Sequence, residues 1–254
     1  PTSGGNVKKP LLLFSHGLDG CSTQSTFLMH TLAAHGYWVF APDHDDAGCG
    51  KGLLAFLRKP ELAFDLPEQW SDATYAARRN DMVKLLEVLR LDPHFAPLID
   101  FSRVGLIGHS LGGYTVLGLA GAWPSWTVQG VKAVLALSPY SEPFNVHKTL
   151  ASIRIPIMLQ GGSNDNFITP NILKAGGTYE QAGAPKYFVE FDGAGHFAWT
   201  DLNLKYAESI EAYSLAFLDH YVKGEPASRD LTSRRPDVIQ LRYDSELGKK
   251  AGDP

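Results

Sequence analysis

The order of apolar runs predicts an α/β chain built on a mostly parallel, twisted sheet with helices on both faces. Three observations carry this. Short apolar runs such as Leu11-Leu12-Leu13-Phe14 are bounded by Pro10 and Gly17, as strands buried on both faces are. Longer segments of helical period alternate with them, and alternation of this kind implies a parallel sheet. Finally, 44% of the 254 residues are hydrophobic and 20% charged, ordinary globular usage that excludes a disordered or coiled-coil chain.

Along the chain, Leu11 to Phe14 is the first expected strand. Thr23 to His35 follows as a helix closed by Gly36, a favourable left-handed C′ residue. Tyr37 to Ala41 is a strand stopped by Pro42. Residues 42–70 show no clean period and read as a long loop with one turn of helix. Ser71 to Leu91 carries apolar residues at Ala76, Val83, Leu86 and Leu89, a long amphipathic helix with Ser71 or Asp72 placed to cap it. Strands Arg103–Gly108, Val131–Leu137, Ile155–Gln160 and Lys186–Phe191 then alternate with helices Leu111–Ala122, Asn171–Gln181 and Leu204–Tyr221. Gly224-Glu225-Pro226 marks an exit from the core. Residues 1–223 are therefore expected to form one domain, and 224–254 an irregular tail packed on it or extending from it.

A net charge of −4, without a long run of lysine or arginine, argues against a nucleic-acid partner. The most apolar stretch, Gly112 to Trp123, is shorter than the ~20 residues a membrane span needs. Cys21 and Cys49 fit neither a disulfide framework nor a zinc pattern. Both follow expected strand ends on one edge of the sheet, which is compatible with a disulfide, although two reduced thiols are the preferred expectation. Compartment and oligomeric state stay open, and a leader removed ahead of Pro1 is one reading of the missing Met.

Gly108-His109-Ser110-Leu111-Gly112 fits the G-x-S-x-G turn that exposes a nucleophilic serine between a strand and a helix. Glycines flank the serine because a Cβ there would collide with neighbouring elements. The strand Val104-Gly105-Leu106-Ile107 leads in and a helix rich in small residues leads out, the context this motif requires.

A serine hydroxyl needs a base to take its proton and a carboxylate to orient that base. Among the histidines after Ser110, His196 lies in Asp192-Gly193-Ala194-Gly195-His196-Phe197, a glycine-flanked loop at a strand's C-terminal end, and is the expected base. His147 reads as a loop residue and His220 as a side chain of the last helix. Asp165, directly after the strand ending at Gln160, is the expected acid, with Glu142 as the alternative and Asp192 as a loop-shaping residue. The backbone N–H groups of Leu18 and Leu111 are expected to form the oxyanion hole. His16 is read as bracing the Leu18 loop rather than transferring a proton. The acidic Asp43-His44-Asp45-Asp46 invites a metal reading, but a solvated turn is preferred, and neither metal nor cofactor is expected.

These residues resemble the α/β-hydrolase superfamily. Phe14-Ser15-His16-Gly17-Leu18, Leu32-Ala33-Ala34-His35-Gly36-Tyr37 and Gly108-His109-Ser110-Leu111-Gly112-Gly113 look like motifs of the dienelactone-hydrolase-like and platelet-activating-factor-acetylhydrolase-like esterases. Asp165 through Thr169-Pro170, and Asp192 through Phe197, are similar to bacterial cutinases and polyester hydrolases. The resemblance spans about Leu11 to Val222. It implies a serine carboxylesterase working through an acyl-enzyme on a small-molecule or polymeric ester. Three departures limit it. The nucleophile is Ser110 where dienelactone hydrolases use cysteine. Ser138-Pro139-Tyr140 stands where the acetylhydrolases carry their acid. Relatives have one or two further strands ahead of the first strand, so the expected sheet is either smaller or lacks its first strands.

Residues 138–154 are too few for the helical cap that such hydrolases often insert there, so an open site formed by loops is expected. Tyr140, Phe167, Phe197 and Trp199 are the candidate substrate-binding residues, Tyr140 by its resemblance in position to the aromatic clamp of polyester hydrolases. A thioesterase or peptidase shares the same acyl chemistry and remains an alternative. So does an inactive hydrolase fold used for binding.

Overall fold

The computed structural model describes residues 7–50 and 60–245. Strand β1 (Lys9–Ser15) lies inside a seven-stranded sheet of order β2-β1-β3-β4-β5-β6-β7. The other strands are β2 (Trp38–Phe40), β3 (Ile99–His109), β4 (Val131–Leu137), β5 (Ile157–Gly162), β6 (Lys186–Phe191) and β7 (Val238–Asp244). Every pairing is parallel except the antiparallel β6–β7 edge. This is the α/β-hydrolase fold. Among the described residues, β2 is the edge strand on the N-terminal side and no strand lies beyond it.

Successive strand side chains point to opposite faces, so each central strand feeds two cores. Leu11, Leu13, Leu106, Val134, Ala136, Ile157 and Leu159 pack on one face. That face is covered by α2 (Ala76–Leu91), α3 (Leu111–Leu117) and α4 (Glu142–His147), through Met82, Leu86, Tyr114 and Phe144. Leu12, Phe14, Ile107, Leu135 and Met158 pack on the other, against α1 (Thr26–Ala34) and α7 (Ala207–Leu218). At about 1.5–3 kcal/mol for each fully buried aliphatic side chain, these two layers dominate the stability of the fold.

Several elements differ from expectation. The amphipathic segment becomes helical only at Ala76, after Tyr75 takes a left-handed φ of 57°, because Ser71 and Thr74 hydrogen-bond to backbone in a preceding turn. Helix α3 widens after Leu117 into a looser turn over 118–122. The expected helix over 171–181 is two short ones, α5 (Thr169–Leu173) and α6 (Thr178–Gln181). The tail expected to be irregular supplies β7, whose residues 238–244 pair with β6. Its polar composition hid it: an antiparallel edge strand has a solvated side, and only Val238 within β7 is buried. Part of the long loop expected over 42–70, residues 51–59, lies outside the described residues.

Cys21 and Cys49 form a disulfide with their Cα atoms 5.7 Å apart, in place of the two thiols expected. It ties the loop after β1 to the loop after β2, beside the backbone bond from Gly48 N to the Gly20 carbonyl. Closing a loop of sequence separation 28 restricts the unfolded chain by about 3.6 kcal/mol. Replacing both cysteines by serine is therefore expected to lower Tm by roughly 10 °C, read by scanning calorimetry against the parent chain under non-reducing conditions.

Candidate active site

Ser110 stands at the turn between β3 and α3 with φ 56° and ψ −119°, a conformation that side-chain-bearing residues seldom adopt. Close packing holds it there. A Cβ on Gly108 would sit 2.1 Å from the Gly112 carbonyl oxygen, and a Cβ on Gly112 would sit 1.9 Å from the Ser15 carbonyl oxygen. Only glycine fits either place. The Ser110 N–H donates to the Leu137 carbonyl at 3.0 Å, and the Tyr140 N–H donates to the Ser110 carbonyl at 3.0 Å, so the turn is fastened to the end of β4.

The loops after β5 and β6 bring two partners to it, at the C-terminal ends of the parallel strands where α/β sheets place their ligands. His196 Nε2 lies 2.8 Å from Ser110 Oγ, and His196 Nδ1 lies 2.8 Å from Asp165 Oδ2. The His196 side chain is 28% exposed and that of Asp165 only 2%, so the imidazole meets solvent while the carboxylate is enclosed. Burial would raise the Asp165 carboxyl, but His196 by hydrogen bond and charge, with Ser138 by hydrogen bond, holds it below the usual carboxylate range. The buried Ser138 hydroxyl donates to Asp165 Oδ2 and lies 3.1 Å from His196 Nδ1. Sequence reasoning missed Ser138; its signal is a polar residue at the C-terminal end of an otherwise apolar strand.

The loop after β1 is braced by a polar network that reaches well beyond the residues first singled out. His16 Nδ1 donates to the Gly17 carbonyl at 2.7 Å, while its Nε2 accepts from the His44 N–H at 3.0 Å. His44 bonds Ser15 Oγ and Asp81 Oδ2, each at 2.8 Å. Gly17 N–H donates to Gln24 Oε1 at 2.9 Å, Gln24 Nε2 donates to His109 Nδ1 at 3.0 Å, and His109 Nε2 donates to the His196 carbonyl at 2.9 Å. Gln24 and His109 thus join the Leu18 loop to the His196 loop. Leu111 is the first residue of α3, where a backbone N–H has no acceptor within the helix.

The structure sorts the other candidates by exposure. Phe167 is 87% and Phe197 59% exposed, flanking Asp165 and His196 in the chain. Tyr140 and Trp199, expected to touch substrate, are buried instead. The Tyr140 hydroxyl donates to the Phe64 carbonyl and its ring packs on Trp70, while Trp199 Nε1 donates to Gln160 Oε1. Both frame the site from beneath, because their polar tips are committed to interior partners. Glu142, the alternative acid, pairs with Lys174, whereas the carboxylate bonded to His196 Nδ1 is that of Asp165. His147 bonds the Trp70 carbonyl at the end of α4, and half-buried His220 bonds the Glu225 carbonyl. The acidic turn is not simply solvated: His44 is held by Asp81, Asp46 by Arg78, and Asp43 accepts from the Ser22 N–H. Among the described residues, no group of three His, Cys, Asp or Glu could hold a metal ion, and no helix is long and apolar enough to cross a membrane.

A strained serine at the strand-to-helix turn, facing an imidazole backed by a carboxylate on an α/β sheet, places the protein in the class of α/β-hydrolases. The PET hydrolase-like family model matches residues 51–241, and the chain belongs to that family. Residues 2–65 also match the platelet-activating factor acetylhydrolase, isoform II model. Cutinase est2 of Thermobifida alba is 28% identical over 213 residues, covering 83% of this chain and 59% of that protein. Cutinase 2 of Thermobifida cellulosilytica is 33% identical over 129 residues, covering 50% of this chain and 44% of that protein. The chain thus spans roughly half the length of these relatives.

Three imidazoles in this network are buried and held neutral. Burial first, then the Arg78 charge, lowers His16 to about 4 and His44 to about 2, and burial with the neighbouring His196 lowers His109 to about 3. The unfolded chain takes up these protons near pH 6.5, whereas the folded chain does so only at lower pH. Stability is therefore full above about pH 6.5 and lost as pH falls toward 4, by about 1.4 kcal/mol per pH unit for each group. Urea midpoints measured at pH 7, 6 and 5 are expected to fall steadily; a flat series would contradict neutral buried imidazoles.

Proposed function

We propose that the protein is a serine carboxylic ester hydrolase in which Ser110, His196 and Asp165 are the catalytic triad. The observation that carries the reading is the continuous chain from Ser110 Oγ through His196 to Asp165, with both links at 2.8 Å. His196 Nε2 takes the hydroxyl proton as Ser110 Oγ attacks the ester carbonyl, and Asp165 orients the imidazole and stabilises its charged form. The Leu18 and Leu111 N–H groups receive the oxyanion. The alcohol leaves with the proton returned by His196, and water then releases the acid from the acyl-enzyme by the same steps in reverse order.

The substrate class follows from the rim. The base is reached from solvent, and exposed Phe167 and Phe197 beside it offer apolar and aromatic surface without a closed tunnel. Short-acyl, aromatic and polyester-like esters suit such a site, and the cutinase names of the relatives support a polymeric ester among them.

Ser110→Ala is expected to remove more than about 99% of ester hydrolysis, and Asp165→Asn to lower kcat by about ten-thousandfold. The check is turnover of p-nitrophenyl esters from C2 to C16, a phthalate ester and a polyester film, with fluorophosphonate labelling of Ser110. Retained activity in Ser110→Ala would sink the assignment. Faster turnover of matched thioester or amide analogues would redirect it.

A further inference from the structure

The part of the network that the triad does not use is Arg78, on the first turn of α2. Its side chain is 2% exposed and that of its partner Asp46 10%, an ion pair almost wholly withdrawn from water. Arg78 Nε donates to Asp46 Oδ2 at 3.0 Å, and Nη2 reaches both Asp46 oxygens at 2.8 and 2.7 Å. The remaining donors point at the loop after β1: Nη1 donates to the His16 carbonyl at 2.6 Å and Nη2 to the Gly17 carbonyl at 3.1 Å.

Stability does not explain this arrangement. Replacing a buried ion pair with apolar side chains is often neutral or favourable, because desolvation opposes the attraction. The target of the guanidinium is more informative. The Gly17 carbonyl belongs to the same planar peptide as the Leu18 N–H. It accepts from His16 Nδ1 at 2.7 Å and the Gly20 N–H at 3.1 Å as well as from Arg78. Of these donors Arg78 alone carries a full charge. A donor on the carbonyl fixes the plane and draws electron density from the nitrogen, which makes the N–H at the other end a stronger donor. Asp46 grips the guanidinium from its far side, so the fork cannot rotate away.

We propose that Arg78 is the positioning residue of the oxyanion hole, its buried guanidinium orienting and polarising the Gly17–Leu18 peptide so that the Leu18 N–H binds the developing oxyanion. The proposal rests on the reading of Leu18 as an oxyanion donor. Arg78 does not touch substrate; it acts through one peptide bond. His16 supplies a second, neutral brace on the same carbonyl, so removing Arg78 is expected to weaken the donor rather than abolish it.

The test compares p-nitrophenyl butyrate with its thiono analogue, whose sulfur is a poorer hydrogen-bond acceptor, for the wild type, Arg78→Met and Arg78→Lys. Rates are normalised to sites titrated by a fluorophosphonate, so that loss of folded enzyme is not counted. Wild type is expected to prefer the oxo ester by about a hundredfold, the scale of one oxyanion donor. Arg78→Met should lower oxo-ester kcat about 10- to 100-fold with KM within about twofold, and should affect the thiono ester much less. Arg78→Lys, which keeps the charge but not the fork, should recover part of the loss and carries the test if Arg78→Met does not fold. Equal losses on both esters, or no loss per titrated site, would overturn the proposal while leaving the triad reading intact. A wild-type oxo-to-thiono ratio near one would overturn the oxyanion assignment itself, and the proposal with it.

Discussion

The backbone contact between the start of α3 and the end of β1 is the constraint on which the rest of the site depends. Gly112 lies so close to the Ser15 carbonyl that no side chain fits between them. That contact pulls the loop beginning at His16 against the turn bearing Ser110. Were it looser by the width of a methyl group, the turn bearing Ser110 and the loop bearing Leu18 would draw apart. The sheet supplies the alignment beneath it, since β1 and β3 are parallel and paired in register from Leu11–Val104 to Ser15–Gly108.

Such closeness leaves many polar groups buried at the sheet's C-terminal edge. The protein meets the desolvation penalty by pairing them. His16, His44 and His109 each use both ring nitrogens, and each has at least one partner that can only donate or only accept. The neutral tautomers are thereby set, and with them the orientation of the loops. Histidine is suited to this task because a neutral imidazole donates at one edge and accepts at the other. The same chemistry makes the network sensitive to acid, and so links the stability of the fold to the geometry of its candidate active site.

Rigidity around Leu18 is distributed over several elements. The Cys21–Cys49 disulfide binds the far end of its loop, Gln24 and His109 join it to the His196 loop, and Arg78 holds it from α2. By contrast, the rim is sparse. Phe167 and Phe197 project into solvent, while Tyr140 and Trp199 are drawn inward to support the floor.

Local and periodic features of this protein are readable from its residues alone. The apolar runs of β1, β4 and β6 are legible because strands buried on both faces need continuous hydrophobicity. The Ser110 turn is legible because its steric demand for glycine is satisfied within five residues, and the chain order of Ser110, Asp165 and His196 follows from glycine-rich loops after strands. Features that depend on distant partners emerge only when the chain folds. Tyr140 and Trp199 look like surface aromatics until Phe64 and Gln160 are seen to receive their polar tips. Strand β7 has too polar a pattern to declare itself without β6 beside it. Gln24 and Arg78 carry no local signature, since what defines each is the group it faces from another element. The physical reason is common to all of them: periodicity and turn sterics act over a few bonds, whereas hydrogen bonds and ion pairs in the interior act between residues brought together only by folding.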